Sequence, residues 1–177
     1  MLGRTASSLF WMARYMERAE NIARLAQVGH RISITPDSTG GYREDWKSTL
    51  ASAGCLDGFE ARGGKLAAAD AQKYLVFDRD HASSIRRCLE AARNNGRAVR
   101  TALTREMWEA LNSTWNEFAA IDPTGVGAGG MADLLDWVRQ HSAQFRGAML
   151  GSLLRDDGFH FCQLGTFIER ADNTARI

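Results

Sequence analysis

The stretch Glu17-Arg18-Ala19-Glu20-Asn21-Ile22-Ala23-Arg24 is repeated later in the chain as Glu169-Arg170-Ala171-Asp172-Asn173-Thr174-Ala175-Arg176. Six of the eight positions are identical, and a seventh keeps its carboxylate because Asp172 replaces Glu20. The offset between the two copies is constant (169 − 17 = 152). Solenoid repeats have periods of about 20–50 residues, so this repeat is too long to be a solenoid unit. The pattern predicts one repeat of a duplicated architecture, with a second repeat truncated after its first helix.

Each copy forms an amphipathic pattern when it is placed on a helix at about 100° per residue. The polar face of the first copy carries Glu17, Glu20, Asn21 and Arg24. Glu20 precedes Arg24 by four residues, which is the favourable order for a helical ion pair. The aromatic Phe10 lies on the same side, so we expect the polar face to be partly buried. A fully solvated helix face is the alternative interpretation.

The repeat supplies the candidate binding or structural residues. They are Glu17, Arg18, Glu20, Asn21, Arg24, Glu169, Arg170, Asp172, Asn173 and Arg176. If the copies pack about an approximate two-fold axis, the first and last helices become neighbours. Glu17 should then pair with Arg170 or Arg176, and Glu169 with Arg18 or Arg24, because arginine–carboxylate forks fix helix register. A homodimer could form the same seam with a second chain.

Composition limits the classes of protein to which the chain can belong. Lys+Arg 22 against Asp+Glu 21 leaves no basic field of the kind that nucleic acid requires. Three scattered cysteines, Cys55, Cys88 and Cys162, predict reduced thiols in a cytoplasmic protein. The apolar run before Arg14 is far shorter than the ~20 residues that span a bilayer, so neither a membrane span nor a signal peptide is expected. The length of 177 residues predicts one domain, 1–177.

Two prolines and frequent helix formers predict an all-α protein, a bundle of about six or seven helices. The predicted helices are one from Thr5–Ser8 to Ser33, one over 42–53, one over 66–76, one capped by Ser83 or Ser84, one capped by Thr104, one with a near-heptad from Met131 to Met149, and one from about Phe159. Residues 74–77 could equally be extended.

Breaks between the helices follow from turn chemistry. Residues 36–41 predict a turn, and the glycines between Gly54 and Gly64 predict an irregular segment. Residues 122–130 predict a flexible connector rather than a phosphate loop, because they follow a helix and lack the Gly-Lys-Ser/Thr ending. Residues 156–158 are expected to end the sixth helix.

The sequence contains no recognisable catalytic constellation. Its histidines form neither a His-x-x-x-His nor a Glu-x-x-His pair, and no serine or cysteine lies at a familiar spacing from a histidine. Residues 78–81 could supply metal ligands, although capping of the next helix explains them as well. A dinuclear site on the motif acids is disfavoured, because Arg24 and Arg176 share their faces and a guanidinium cannot ligate a metal. We therefore expect neither metal nor cofactor.

The opening residues resemble the bacterial alpha-E family, an all-helical domain described by a Glu-Arg motif, here Glu17-Arg18 and Glu169-Arg170. The likeness continues through 74–78, 83–85, 91–95, 106–112 and 153–158. Family members are usually longer, with a second half after the second motif. The resemblance therefore implies that the chain holds the N-terminal half and the start of the second.

The function implied by the resemblance comes from neighbouring genes. Alpha-E genes tend to lie beside, or fuse with, an ATP-grasp ligase and a transglutaminase-like protease. This association implies a non-catalytic accessory or binding subunit of a peptide-ligating or peptide-modifying system. Two alternatives remain open: an enzyme that uses the paired carboxylates as acid and base or as metal ligands, and a structural ion-pair lattice with its partner surface elsewhere.

Overall fold

The computed structural model describes residues 1–34 and 42–177. These residues form eight α-helices and one 3₁₀ turn and contain no β-strand, which confirms the all-α prediction. The helices are α1 (Gly3–Ile34), α2 (Tyr42–Ser52), α3 (Leu56–Ala61), α4 (Ala68–Phe77), α5 (Ile85–Ala98), α6 (Arg105–Ala119), α7 (Ala128–Ser152) and α8 (Asp157–Ala175), with the 3₁₀ turn at Arg100–Ala102. None of the helices in this described part has both the length and the apolar character that a membrane span requires.

Helix α1 is the centre of the bundle, and it packs against α2, α4, α5, α7 and α8. Its apolar side is buried, through Met12, Ala13, Met16, Ala19, Ala23 and Ala26. The acids Glu17 and Glu20 on its other side are buried as well. A helix that is covered on most of its faces needs partners for its charges as well as for its methyl groups. The geometry of those charges is therefore the main feature of the fold.

The last helix lies very close to the first because its sequence contains a glycine at the contact. A Cβ atom added at Gly165 would overlap the carbonyl oxygen of Phe10 and lie 3.2 Å from the backbone nitrogen of Arg14. The backbones of α8 and α1 therefore touch, with no side chain between them. This close approach brings the two repeated motifs within reach of each other.

One helix lies in a segment that the glycines had predicted to be irregular. Helix α3 is anchored by Phe59, whose ring lies 5.2 Å from that of Tyr74 and is buried. Gly54 and Gly63, with φ of 68° and 70°, supply the left-handed backbone between α2 and α3 and after α3. The prediction of an irregular segment was wrong because a single buried aromatic can hold a short helix between glycines.

The other boundaries follow the capping residues, with two corrections. The Ser84 and Thr104 side chains accept hydrogen bonds from the backbone at the starts of α5 and α6, as predicted. Asp156 caps α8 instead of ending α7, which stops at Ser152. Helix α7 begins at Ala128, inside the predicted connector. The predicted turn at 36–41 lies outside the described residues, and 74–77 are helical rather than extended.

The near-heptad of the sixth predicted helix is confirmed in α7. Its members are Met131, Leu135, Val138, Ser142, Phe145 and Met149, all of which are buried. Coiled-coil-like packing within the bundle accounts for this spacing without a partner protein.

The loop between α4 and α5 carries a partly buried histidine. The His81 ring stacks on Tyr74 with centroids 4.4 Å apart, and its Nε2 atom is buried without a hydrogen-bond partner. Burial lowers the pKa of His81 to about 4. Asp78 accepts hydrogen bonds from the backbone N–H groups of Asp80 and His81 and from Arg62. The segment is thus held together by hydrogen bonds within the loop and by the pairing of Arg62 with Asp78. The prediction that residues 78–81 cap the next helix was wrong, because Ser84 caps α5.

The free energy of unfolding is expected to fall by about 2 kcal/mol between pH 7 and pH 5, because the unfolded histidine, with its ordinary pKa of 6.5, binds a proton that the folded one does not. The contribution of His81 is complete above the unfolded pKa and is lost as the pH falls towards the folded pKa. Urea denaturation at several pH values measures it. His81→Phe should reduce the dependence of the free energy of unfolding on pH, whereas His160→Phe, at an exposed histidine, should leave it unchanged. An unchanged pH dependence in His81→Phe would contradict the assignment.

Candidate functional site

The two Glu-Arg motifs exchange their side chains across the contact between α1 and α8. Arg18 donates from Nε and Nη2 to Glu169, at 2.6 and 2.8 Å. Arg170 donates from Nε and Nη2 to Glu17, at 2.6 and 3.3 Å. Because Glu17 and Glu169 are equivalent in the repeat, as are Arg18 and Arg170, the exchange has approximate two-fold symmetry. We call these four residues the Glu-Arg seam.

The structure therefore contains two of the predicted cross-helix pairs and lacks the two that were named beside them. Arg24 bonds to Glu20 within α1, at 2.6 Å from Nη2 to Oε1. Arg176 bonds to Asp172 within α8, at 3.2 Å from Nε to Oδ2. Neither arginine reaches the seam, because each lies one to two turns beyond it on its own helix. Helical pairs four residues apart satisfy both of them.

Two arginines outside the repeat also donate hydrogen bonds to the acids of the motifs. Arg14 donates from Nε to Glu169 at 2.7 Å, and Arg146 of α7 donates from Nη1 to Glu17 at 3.1 Å and to Glu20 at 2.8 Å. Arg14 lies four residues before Arg18 on the same helix face, so its contact with the same carboxylate could have been predicted from the sequence. Arg146 has no such signal, because its only relation to the motif is through the packing of α7 on α1.

Glu20 is buried beside the two acids of the seam, and all three carboxylates accept hydrogen bonds from arginines. Glu17, Glu20 and Glu169 are 6%, 3% and 3% exposed, which rules out a solvated face for these residues. Burial by itself would raise the pKa of Glu20, but hydrogen bonds from Arg146 and Arg24 outweigh it and hold that pKa below its usual value. A general acid needs a raised pKa. The arrangement therefore stabilises the carboxylate of Glu20 and does not prepare it to deliver a proton.

The described residues offer neither a metal centre nor an activated thiol. No group of three His, Cys, Asp or Glu residues in this part of the chain could hold an ion. The residues proposed for a dinuclear site do not fit one, since arginine nitrogens already occupy the oxygens of Glu17 and Glu169. Cys55, Cys88 and Cys162 are buried, and burial raises the pKa of each thiol to about 12. They therefore remain protonated and are poor nucleophiles.

Four of the remaining motif residues, though not Glu20 or Arg24, line a polar cleft of about 190 Å³ beside Glu169. Asn21 from α1 and Asn173 from α8 both line it, although they are 152 positions apart in the repeat. Asp172 and Arg176 line it too. The cleft thus gathers motif residues from both copies, which the seam alone would not require.

The outward side of α8 is apolar and exposed. Phe161, Leu164, Phe167 and Ile168 are 37%, 47%, 56% and 39% exposed. Their equivalents in the first copy are Leu9, Met12, Tyr15 and Met16. Of these, Leu9 and Met12 are completely buried and Met16 is nearly so. The same helix face is therefore core in one copy and surface in the other. We call it the outer face of α8.

The comparison with known families agrees with this geometry. Residues 1–177 match the Alpha-E family model, described as a predicted alpha-helical domain with a conserved ER motif. No curated protein and no solved structure matches the chain. The sequence Glu-Arg occurs in this chain at Glu17-Arg18 and at Glu169-Arg170, the two pairs that form the seam. Since the match spans the whole chain, the protein belongs to the Alpha-E family.

Proposed function

We propose that this protein is a non-catalytic accessory or binding subunit of a peptide-ligating or peptide-modifying system, and that it binds a helical partner through the outer face of α8. The observation that supports this proposal is the exposure of Phe161, Leu164, Phe167 and Ile168 on one helix. Contiguous exposed apolar residues of this size mark interaction surfaces in soluble proteins.

The internal repeat indicates what kind of surface fits there. On α1 the equivalent apolar side packs against α5, where a Cβ at Gly96 would lie 3.2 Å from the sulfur of Met12. Helix α5 presents small and aliphatic buried residues, including Cys88, Leu89 and Ala92. The partner of α8 should therefore present an amphipathic helix with a similar face. Helix-in-groove recognition uses anchors at this spacing of three and four residues.

The seam supports the non-catalytic part of the proposal. Its carboxylates are neutralised by arginines, so the enzyme alternative lacks a free acid, a free base and a set of metal ligands at that place. The structural ion-pair lattice is compatible with this proposal, because the seam would then stabilise the fold while the outer face of α8 binds the partner. By resemblance to the family, the expected cytoplasmic partners are an ATP-grasp ligase and a transglutaminase-like protein.

Binding to a purified ATP-grasp ligase or transglutaminase-like protein from the same organism should be lost when acidic residues are introduced on the outer face of α8. The double variant Leu164→Glu, Phe167→Glu is expected to weaken the complex at least about 100-fold, since apolar interface anchors contribute about 2 kcal/mol or more each. Calorimetric titration measures the affinity. Val28→Glu, on an exposed apolar residue of α1, is the matched control and should bind like the parent.

Two results would overturn this proposal. One is unchanged affinity in the double variant, which would place the partner surface elsewhere. The other is a homodimer in light scattering that the double variant dissolves, because a second copy would then occupy the outer face. Unchanged circular dichroism of both variants is expected, since exposed substitutions rarely alter stability by more than about 0.5 kcal/mol.

A further inference from the structure

The polar cleft beside Glu169 is independent of the outer face of α8 and has features of a ligand site. It lies where α1 and α8 meet the turn between α2 and α3 and the residues just before α5. A cavity of about 150 Å³ is large enough to hold benzene. The 190 Å³ of this cleft therefore suit a ligand about the size of an amino acid.

Asn21 is the first reason to expect a ligand. Its side chain is 9% exposed, and its Nδ2 atom is buried without a hydrogen-bond partner. A buried amide donor that makes no hydrogen bond lowers the stability of the folded state. An acceptor atom in the cleft would supply the missing bond.

The arginines of the cleft are the second reason. Arg14 bonds to Glu169 only through Nε, and Arg18 only through Nε and Nη2. Among the described residues, no hydrogen bond is made by the two Nη atoms of Arg14 or by Nη1 of Arg18. These nitrogens are available as donors, and they suit a ligand with oxygen acceptors.

Charge narrows the ligand class further. Three arginines line the cleft (Arg14, Arg18 and Arg176) together with two carboxylates (Glu169 and Asp172), so the balance is 3 − 2 = +1. One carboxylate would neutralise this excess, whereas a phosphate dianion would leave a negative charge against buried Glu169. A monoanionic ligand is therefore the better match.

Arg176 lines the cleft and packs against the turn between α2 and α3. Gly54 has φ of 68°, and a Cβ there would overlap the guanidinium of Arg176. The bare backbone of the turn between α2 and α3 thus packs directly on this arginine and holds it over the cleft. Its Nε donates a hydrogen bond to Asp172, which also lines the cleft.

We infer that this cleft binds the carboxylate group of a small ligand of amino-acid size, held by Asn21, Asn173 and the free nitrogens of Arg14 and Arg18. The two asparagines of the repeated motif then have a common task. The Glu-Arg seam positions the arginines, and the ligand occupies the donors that the seam leaves unused.

Calorimetric titration of the full chain with N-acetylglycine, N-acetylglycinamide and inorganic phosphate tests this inference. The carboxylate should bind at least tenfold more tightly than the neutral amide and more tightly than phosphate. Asn21→Leu should weaken carboxylate binding at least tenfold while the melting temperature stays equal or rises, because the change removes an unpaired amide. Arg105→Gln, on an exposed arginine outside the cleft, is the control and should bind normally.

Equal binding of carboxylate and amide, or no binding of either, overturns the inference, and tighter binding of phosphate reassigns the ligand class. If Asn21→Leu melts at a lower temperature and still binds the carboxylate, the amide has a structural role instead. Asn173→Leu, at a partly exposed residue, provides a second variant that does not depend on the stability of α1.

Discussion

Glu169→Ala is expected to lower the free energy of unfolding by about 3–5 kcal/mol, the range for breaking a buried ion pair by removing one partner. The change leaves Arg14 and Arg18, whose side chains are each only 20% exposed, without the carboxylate that they share. Chemical denaturation of parent and variant measures the loss. Glu169 is the only motif acid in α8 that is buried, so the expected effect is specific to it.

Asp172→Ala is the matched control, because it removes the other motif acid of the same helix. Asp172 and its partner Arg176 have side chains 40% and 47% exposed, so this change should lower the free energy of unfolding by only about 0–1 kcal/mol. Equal losses in the two variants would contradict a structural role that is specific to the seam. A loss below about 1 kcal/mol in Glu169→Ala would show that water replaces the carboxylate at little cost.

Gly165→Ala is expected to lower the free energy of unfolding by about 2–3 kcal/mol, as for overpacking of a closed contact. The added methyl group would overlap the carbonyl oxygen of Phe10, which is backbone and cannot rotate away. Helix α8 would have to move off α1, and the Glu-Arg seam would lengthen with it. Thermal and chemical denaturation measure the effect on stability.

The control for this change is the same substitution at a glycine without close neighbours. Gly151 lies in α7, is exposed, and has no atom within 4 Å of an added Cβ. Gly151→Ala should therefore raise the free energy of unfolding by about 0.5–1 kcal/mol through backbone entropy. If both substitutions stabilise the protein, the close contact between α1 and α8 is wrong.

The repeat predicted the most about this protein, because it specified a symmetric contact. It placed Glu17 against Arg170 or Arg176 and Glu169 against Arg18 or Arg24, and the structure contains the first pair of each alternative. It could not predict Arg146, because the approach of α7 depends on packing and not on the motif. Local signals were least reliable where one residue type serves two purposes. Asp156 is a cap as well as a turn residue, and it caps α8.

The outer face of α8 shows another limit of periodicity. Apolar residues three and four apart predict that a helix has an apolar side, but not whether another element covers it. Leu9 and Phe161 have the same place in the repeat, yet the first is core and the second is surface. Only the positions of the other helices distinguish them.

The Glu-Arg seam joins positions 151 and 153 residues apart, and this separation affects how the chain reaches its fold. Closing such a loop costs about 2 kcal/mol more than closing one a tenth as long. During synthesis, α1 leaves the ribosome long before α8. Its polar face is therefore exposed to water while the intervening helices fold. Apolar surface in the same place would invite aggregation of the nascent chain. The hydrated charges on α1 keep the incomplete bundle soluble until Arg170 of α8 pairs with Glu17.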